Sequence, residues 1–360
     1  MQLSTTPRQD GFYFPAEFQP VSEVWLAWPE RKDNWREQAQ PAQRTFARIA
    51  NAISEVTKVC VAVSCKQFDR ARALLHSDVR LVEIPYNDAW MRDIGPTVVV
   101  NEQGDRRGVS WQFNAWGGDY NGLYDNWQQD DLVASSVCDI IGLDHYRAPF
   151  VLEGGAIHTD GEGTLYTTQE CLLSPGRNPE MSQQQIETNL KEYLGIDKVI
   201  WLPKGLFNDE TDGHVDNLMH VIAPGKVVLS WTDDPSDPQF DLSRQAEQAL
   251  KSQTDAQGRN IEVIRLPLPG PLHYSEAEAN GVDKSEGMVR DAGERLSASY
   301  ANFLIVNEYV FLPLLDDTTD SQAIEILQQA MPEHQVIGIP SREVLLGGGN
   351  IHCITQQIPA

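Results

Sequence analysis

The chain is poor in positive charge. It carries 28 Lys and Arg against 52 Asp and Glu, a formal net charge of −24 in 360 residues. Nucleic-acid binders neutralise phosphates with clustered Lys and Arg, so that class is set aside. The acidic surplus has two readings: it keeps a protein soluble, and its field favours a cationic small molecule. Charge alone does not choose between them. Long apolar runs are missing too, and nothing approaches the ~20 residues of a bilayer crossing. The start, MQLSTTPRQDGFYFPAEF, lacks the basic segment and apolar stretch of a secretion signal. A cytoplasmic location with no membrane partner is the expectation.

Cysteine is scarce. Cys60, Cys65, Cys138, Cys171 and Cys353 are odd in number, and no pair is spaced CxxC. This argues against a disulfide framework and against a zinc ribbon. There is no HExxH and no compact ligand spacing, so no metal is expected; His214 and His220 with nearby aspartates form the alternative ligand set. Low-complexity segments and linkers are also lacking. With 41% apolar residues the chain can build one large domain or two ordinary ones. Residues 1–360 are read as one.

Apolar residues three and four apart predict helices near 41–55, 66–76, 127–141, 180–194, 240–254 and 320–331. Short β-branched strands and polar or glycine-bearing turns follow them, as in VRLVEIP–YNDAWMRDIGP–TVVV and KVIWLP–DETDGHVDN–LMHVIAPGKVVLS. The theme recurs five times. Asp93, Glu153, His214, Asn302 and Cys353 stand about one module apart, as in a radial or stacked repeat. Any α/β protein also alternates helices and strands, which is the plainer reading. If five units close a ring, the turns meet at one axis and Asp93, Glu153, His214 and Cys353 converge.

Several residues invite chemistry. Cys353 follows a glycine triplet in VLLGGGNIHC, read as strand, turn, strand. A buried small hydrophobe is the common fate of such a cysteine. The alternative is a nucleophile on a constrained turn, which needs a histidine from elsewhere. His352 is adjacent and, on a strand, would face the other way. His214 is the better partner. It lies in DETDGHVDN, where an extended backbone would turn Asp212, His214 and Asp216 to one side. Carboxylates there would raise its pKa and hold its ring; a solvated acidic loop is the competing reading. Trp90 and Asp93 in NDAWMRDIGP offer a ring face and a charge to a cation, or a half-buried tryptophan under a loop. Glu153 stands at a strand-to-turn step before Gly154 and Gly155 and is weak evidence alone. Taken together, a cysteine, a histidine and several carboxylates suit attack on a cationic carbon. A planar guanidinium, whose forked donors carboxylates match in pairs, is such a target.

These residues sit in motifs spread over nearly the whole length: GFYFPAEFQPVSEVWLAWP, AWMRDIGP, FNAWGG, LEGGAIHTDGEGT, WLPKGLFNDETDGHVDN, GERLSASYANF and GGGNIHCITQQIP. In this set the chain resembles the agmatine deiminase (agmatine iminohydrolase) family. That family lies within the guanidino-group-modifying pentein superfamily and is related to bacterial-type peptidylarginine deiminases. The resemblance implies an α/β propeller of five ββαβ-type units. It implies hydrolysis of agmatine to N-carbamoylputrescine and ammonia in polyamine and arginine metabolism, through a covalent amidino-cysteine. Cys353 would be the nucleophile and His214 the general acid and base. Asp93 and Asp216 would bind the guanidinium, Glu153 would orient His214, and Trp90 would line the channel. No cofactor is implied, and members of this kind often pair. For the far end of the substrate, Asp209, Glu210 and Asp212 are candidates to hold an ammonium, Glu210 first. Arg290 and Arg295 are the cations that could bind the carboxylate of arginine instead. A deiminase of free or peptidyl arginine, or a non-catalytic binding pentein, are the competing readings.

Overall fold

The computed structural model describes residues 1–284 and 288–360. Its strands fall into five sheets, and one order of elements repeats in all of them. In each, a first strand pairs antiparallel with a second, a helix follows, and a third strand returns parallel to the second. One unit comprises Thr97–Val100, Arg106–Gln112, the helix Asp130–Ile141 and His145–Val151. The next comprises His158–Thr159, Thr164–Thr168, Gln183–Leu194 and Lys198–Leu202. Met219–Ala223, Lys226–Trp231, Gln239–Lys251 and Glu262–Pro267 form a third. Leu304–Val306, Tyr309–Leu314, Asp320–Ala330 and Gln335–Pro340 form a fourth.

The fifth unit joins the two ends of the chain. Its first strand is the last in sequence, Thr355–Pro359, antiparallel to Val21–Ala27 with Thr355 opposite Leu26. Helix Gln40–Ser54 and the parallel strand Lys58–Val63 complete it. A short helix, Phe68–Leu74, and Arg80–Glu83 extend that sheet. This is the five-unit pentein architecture that the resemblance implies.

The apolar clusters lie between units. Ile186, Leu190 and Leu194 pack with Val109, Tyr146 and Phe150 of the preceding sheet. Ala246 and Leu250 pack with Ile200 and Leu202. Ala323 and Leu327 pack with Val228 and Leu266. Phe46, Ile49 and Ile53 share a cluster with Leu304, Phe311 and Ile339, which closes the ring. A helix stripe therefore serves two sheets at once, and truncating Leu190 to Ala would cost about 2–5 kcal/mol.

All six predicted helices are present. Strands were not predicted at Gln2–Leu3 and Lys58–Val63, nor at two further segments: VSEVWLA at 21–27 and RRGVSWQ at 106–112. Neither of these last two alternates cleanly, because both are central strands covered on two faces. The strands predicted on either side of the glycine turn in VLLGGGNIHC are absent. Arg342–Leu345 is a short helix, turns run to Ile354, and the strand starts at Thr355. Nor is the His214 segment extended. Asp212 and Gly213 have φ of +60° and +78°, and a helical turn, Val215–Leu218, follows.

Candidate active site

Each unit places one turn just before its first strand, and those turns carry Asp93, Glu153, His214, Asn302 and Cys353. They converge on Gly155. A Cβ there would fall 2.5 Å from His214 Nδ1 and 3.0 Å from an oxygen of each of Asp93 and Asp216. Glycine is what lets the backbone reach this spot.

Cys353 is buried. Its Sγ accepts from Asn302 Nδ2 at 3.0 Å and lies 3.7 Å from Asp216 Oδ2. Asn302 Oδ1 accepts the amides of His352 and Cys353 at 3.1 and 3.3 Å, so one side chain fixes both thiol and backbone. The Arg92 amide donates to the Cys353 carbonyl and its Nε to that of His352. Burial, then Asp216 and Asp93, push the thiol well above its ordinary pKa. The resting group is a thiol.

The two carboxylates differ. Asp93 accepts from Gly155 N at 2.9 Å and from Trp116 Nε1 at 3.0 Å. Burial, with Asp216 and Glu153 nearby, pushes its pKa up to about 6 although His214 opposes this. Burial acts the same way on Asp216, but the hydrogen bond and charge of His352, with His214 and Arg92, hold it below the ordinary value. Asp216 Oδ2 meets His352 Nδ1 at 2.8 Å, while its buried Oδ1 has no hydrogen-bond partner. An unpaired carboxylate oxygen beside a buried thiol is an open place for a donor.

His214 lies between acids. Its Nε2 is 3.5 Å from Glu153 Oε2 and its Nδ1 is 3.9 Å from Asp93 Oδ1. Burial opposes its charge, yet Asp93, Cys171 and Glu153 raise its pKa well above the ordinary value. Glu153 is held on its far side by Arg177 Nε at 2.8 Å. Burial would raise Glu153, but Arg177 and His214 keep it low.

The glycine triplet now has a reason at each position. A Cβ on Gly347 would fall 2.5 Å from the Trp35 ring. On Gly348 (φ +107°) it would fall 1.9 Å from Glu210 Oε1, and on Gly349 2.6 Å from Trp90 and 3.1 Å from Cys353 Sγ. Asp88 accepts from the indoles of Trp35 and Trp90 at 2.8 and 3.0 Å and so fixes that wall.

The acids upstream of His214 are corrected. None is free. Asp209 is bonded to Thr211 and Asn217. Both oxygens of Glu210 accept from Arg290, at 2.7 and 2.9 Å. Asp212 accepts from Arg177 and Ser174, because the left-handed turn rotates it away from His214. Arg295 pairs with Asp237. His352 does not sit on a strand facing away; it bonds Asp216. His214 and His220 do not share a ligand group. Among the described residues, ligand atoms cluster as His158, His220 and His352, and as Glu153, Cys171 and His214. Glu17, Arg92, Asn302, Arg177 and Cys171 were given no role from sequence. Only Arg92, beside Asp93, and Asn302, at a repeat anchor, carried any signal.

A family model for Porphyromonas-type peptidyl-arginine deiminase matches residues 13–359. The chain belongs to that family. Relatives of the chain are named for a different substrate. A Vibrio parahaemolyticus protein named for agmatine deiminase is 83% identical over the full length of both chains. The solved agmatine deiminase of Enterococcus faecalis is 45% identical, covers 99% of each chain and superposes with a TM-score of 0.97. A substrate-bound, Cys-to-Ser agmatine deiminase of C. jejuni is 27% identical over 96% of each chain, with a TM-score of 0.83.

Proposed function

We propose that this chain is an agmatine deiminase, hydrolysing agmatine to N-carbamoylputrescine and ammonia. One observation carries the chemistry: two buried carboxylates from different units, Asp93 and Asp216, flank the Cys353 thiol, and one Asp216 oxygen is unpartnered. A guanidinium supplies the missing donors in a plane. The agmatine substrate follows from the names of relatives at 83% and 45% identity.

Asp93 and Asp216 grip the guanidinium and keep it protonated, so its carbon stays electrophilic. The arriving cation reverses the local field that opposes a thiolate, and Cys353 gives up its proton to bulk solvent. The thiolate forms a C–S bond to the guanidinium carbon. His214, cationic at rest, gives its proton to the departing amine, and the C–N bond breaks to release ammonia. Neutral His214 then takes a proton from water. The resulting hydroxide attacks the amidino carbon, the C–S bond breaks, the hydroxyl proton passes to the departing sulfur, and the ureido product leaves. Glu153, backed by Arg177, holds the imidazole and its charge. Trp90 and Trp35 wall the approach. Glu210 is on the rim at Gly348, and it meets the substrate ammonium only if Arg290 yields one of its two bonds.

This reading takes residues 1–360 as one catalytic domain, supported by the pairing of Thr355–Pro359 with Val21–Ala27. It also places the protein in the cytoplasm, supported by five cysteines that form no disulfide. No helix among the described residues is long and apolar enough to cross a membrane.

The test is product formation from agmatine, free arginine and a blocked arginyl peptide in parallel, with Cys353→Ala as control. Turnover of agmatine that is lost in the variant is expected. Turnover of arginine or the peptide alone would keep the mechanism and overturn the substrate.

A further inference from the structure

Beneath Asp216 lies a buried set of titratable groups that the reaction above does not use. His352 Nδ1 is 2.8 Å from Asp216 Oδ2, and its Nε2 is 2.7 Å from Glu17 Oε2. All three residues are buried. The other Glu17 oxygen accepts the Ile305 amide at 2.8 Å and lies 3.3 Å from His220 Nε2. Arg92 Nη2 is 3.6 Å from Glu17. The ring of His158 stacks on His352 at 5.1 Å between centroids, and that of His220 meets it edge-on at 5.2 Å. These groups surround His352.

A ring nitrogen and a carboxylate oxygen at such distances need a proton between them, because two lone pairs repel. Two contacts need two protons, shared among Asp216, His352 and Glu17. Glu17 already accepts an amide and has a guanidinium beside it, which favours its ionised form. Burial would raise Glu17, but His352 and His220 hold it well below the ordinary range. Burial and Arg92 oppose a charge on His352, and Glu17 and Asp216 outweigh them. Both protons therefore rest on the ring.

We infer that His352 is a fixed imidazolium that, seated on Glu17, orients Asp216 and keeps it ionised, leaving Asp216 Oδ1 free for the substrate cation. His352 is thus a positioning residue acting through Asp216, and Glu17 acts through His352. The inference rests on the role given to Asp216 above. It explains why two acids in one pocket behave differently: Asp216 is hydrogen-bonded to a cation at 2.8 Å, whereas Asp93 accepts hydrogen bonds only from the neutral Gly155 amide and Trp116 indole and has its nearest cation, His214, at 3.9 Å.

The first test needs no turnover. In the full chain labelled with 15N-histidine, both His352 ring nitrogens should be protonated at about pH 8. The signals are assigned by their loss in His352→Gln. A bare nitrogen on His352 would overturn the inference. So would a stoichiometric transition metal in the purified protein, since an ion would take the nitrogen facing Glu17. The second test is the pH profile of kcat/KM for agmatine in Glu17→Gln and His352→Gln. Without its cation Asp216 becomes a second buried acid like Asp93, so the acid limb, set by Asp93 alone in the wild type, should steepen toward a slope of two and shift to higher pH. His158→Gln removes a stacked ring but no bond to a carboxylate, and should keep the wild-type limb. Unmoved limbs in Glu17→Gln and His352→Gln, or an equal shift in His158→Gln, would reduce His352 to packing. If wild-type protein turns over no guanidine, the proposed function has failed, and the ring-nitrogen signals still decide the charge of His352.

Discussion

Asp93 is the acid whose charge the fold opposes. Its pKa rises from 3.8 to about 6 on burial. The folded protein therefore holds this proton more tightly than the unfolded chain does. The stability it contributes is full below about pH 4 and is lost as pH rises through 6. Asp93→Asn should stabilise the fold at pH 8 by on the order of 1–3 kcal/mol and abolish turnover. Denaturant melts at pH 8 and pH 4 test this; the gain should vanish at the lower pH. In the wild type, kcat/KM should fall on the acid side near pH 6, where the cation meets a neutral acid. Cys353 gives a second prediction at this scale. Its thiol is protonated at rest, so iodoacetamide should alkylate it slowly at pH 7 and faster only at alkaline pH. Exposed Cys65 serves as the internal reference when the modified peptides are quantified. Fast neutral alkylation of Cys353 would mean a preformed thiolate. Cys353→Ser should fold normally and show no turnover, because a hydroxyl is a far weaker nucleophile.

The turns before each first strand act as elements in their own right. Three are single helical turns, Met91–Ile94, Gly154–Ala156 and Val215–Leu218. The one carrying Gly155 touches the other two sets of site residues. Gly155→Ala would drive a Cβ to 2.5 Å from His214 Nδ1, a contact that forces the ring or the turn to move. We expect kcat to drop by about a hundredfold, the scale of a misplaced catalytic group. The melting temperature should change little, since the turn lies at the axis and not in the apolar layers. A variant with wild-type kcat would show that the imidazole has room to spare.

The molecule as a whole is a ring fastened at one seam. Among the described residues, Thr355–Pro359 is the one strand that joins the C-terminal end of the chain to the sheet built on Val21–Ala27. It directly follows Cys353. Deleting residues 355–360 should remove both the seam and the anchor of the nucleophile. It would also expose Val24, Trp25 and Leu26, all fully buried. We expect an aggregating chain without a cooperative melt. A soluble, cooperatively melting product that merely lacks activity would mean that the ring holds without its seam. One other blade also borrows from a distant stretch of chain: Gln2–Leu3 adds to its edge, parallel to His145–Val151.

The sequence by itself determined the parts that are local. Helical periodicity located the six predicted helices, because each shows one apolar stripe to a neighbouring sheet. The repeat anchors and ordered motifs single out Cys353, His214, Asp93, Glu153 and Asp216 as candidates, because each stands at a recognisable turn, and the fold brings the five together. Tertiary structure decided what depends on partners far along the chain. Nothing near Glu17 indicates that it meets His352, since only closure of the ring brings them together. The acids of DETDG look free in sequence, and Arg177 and Arg290 take two of them in space. Glycines at 347–349 read as a flexible turn, yet their smallness is required by Trp35, Glu210 and Trp90, all contributed from elsewhere. Proton affinities belong with these. Asp93 and Asp216 are the same residue type on turns two units apart, and burial with different neighbours gives them opposite shifts.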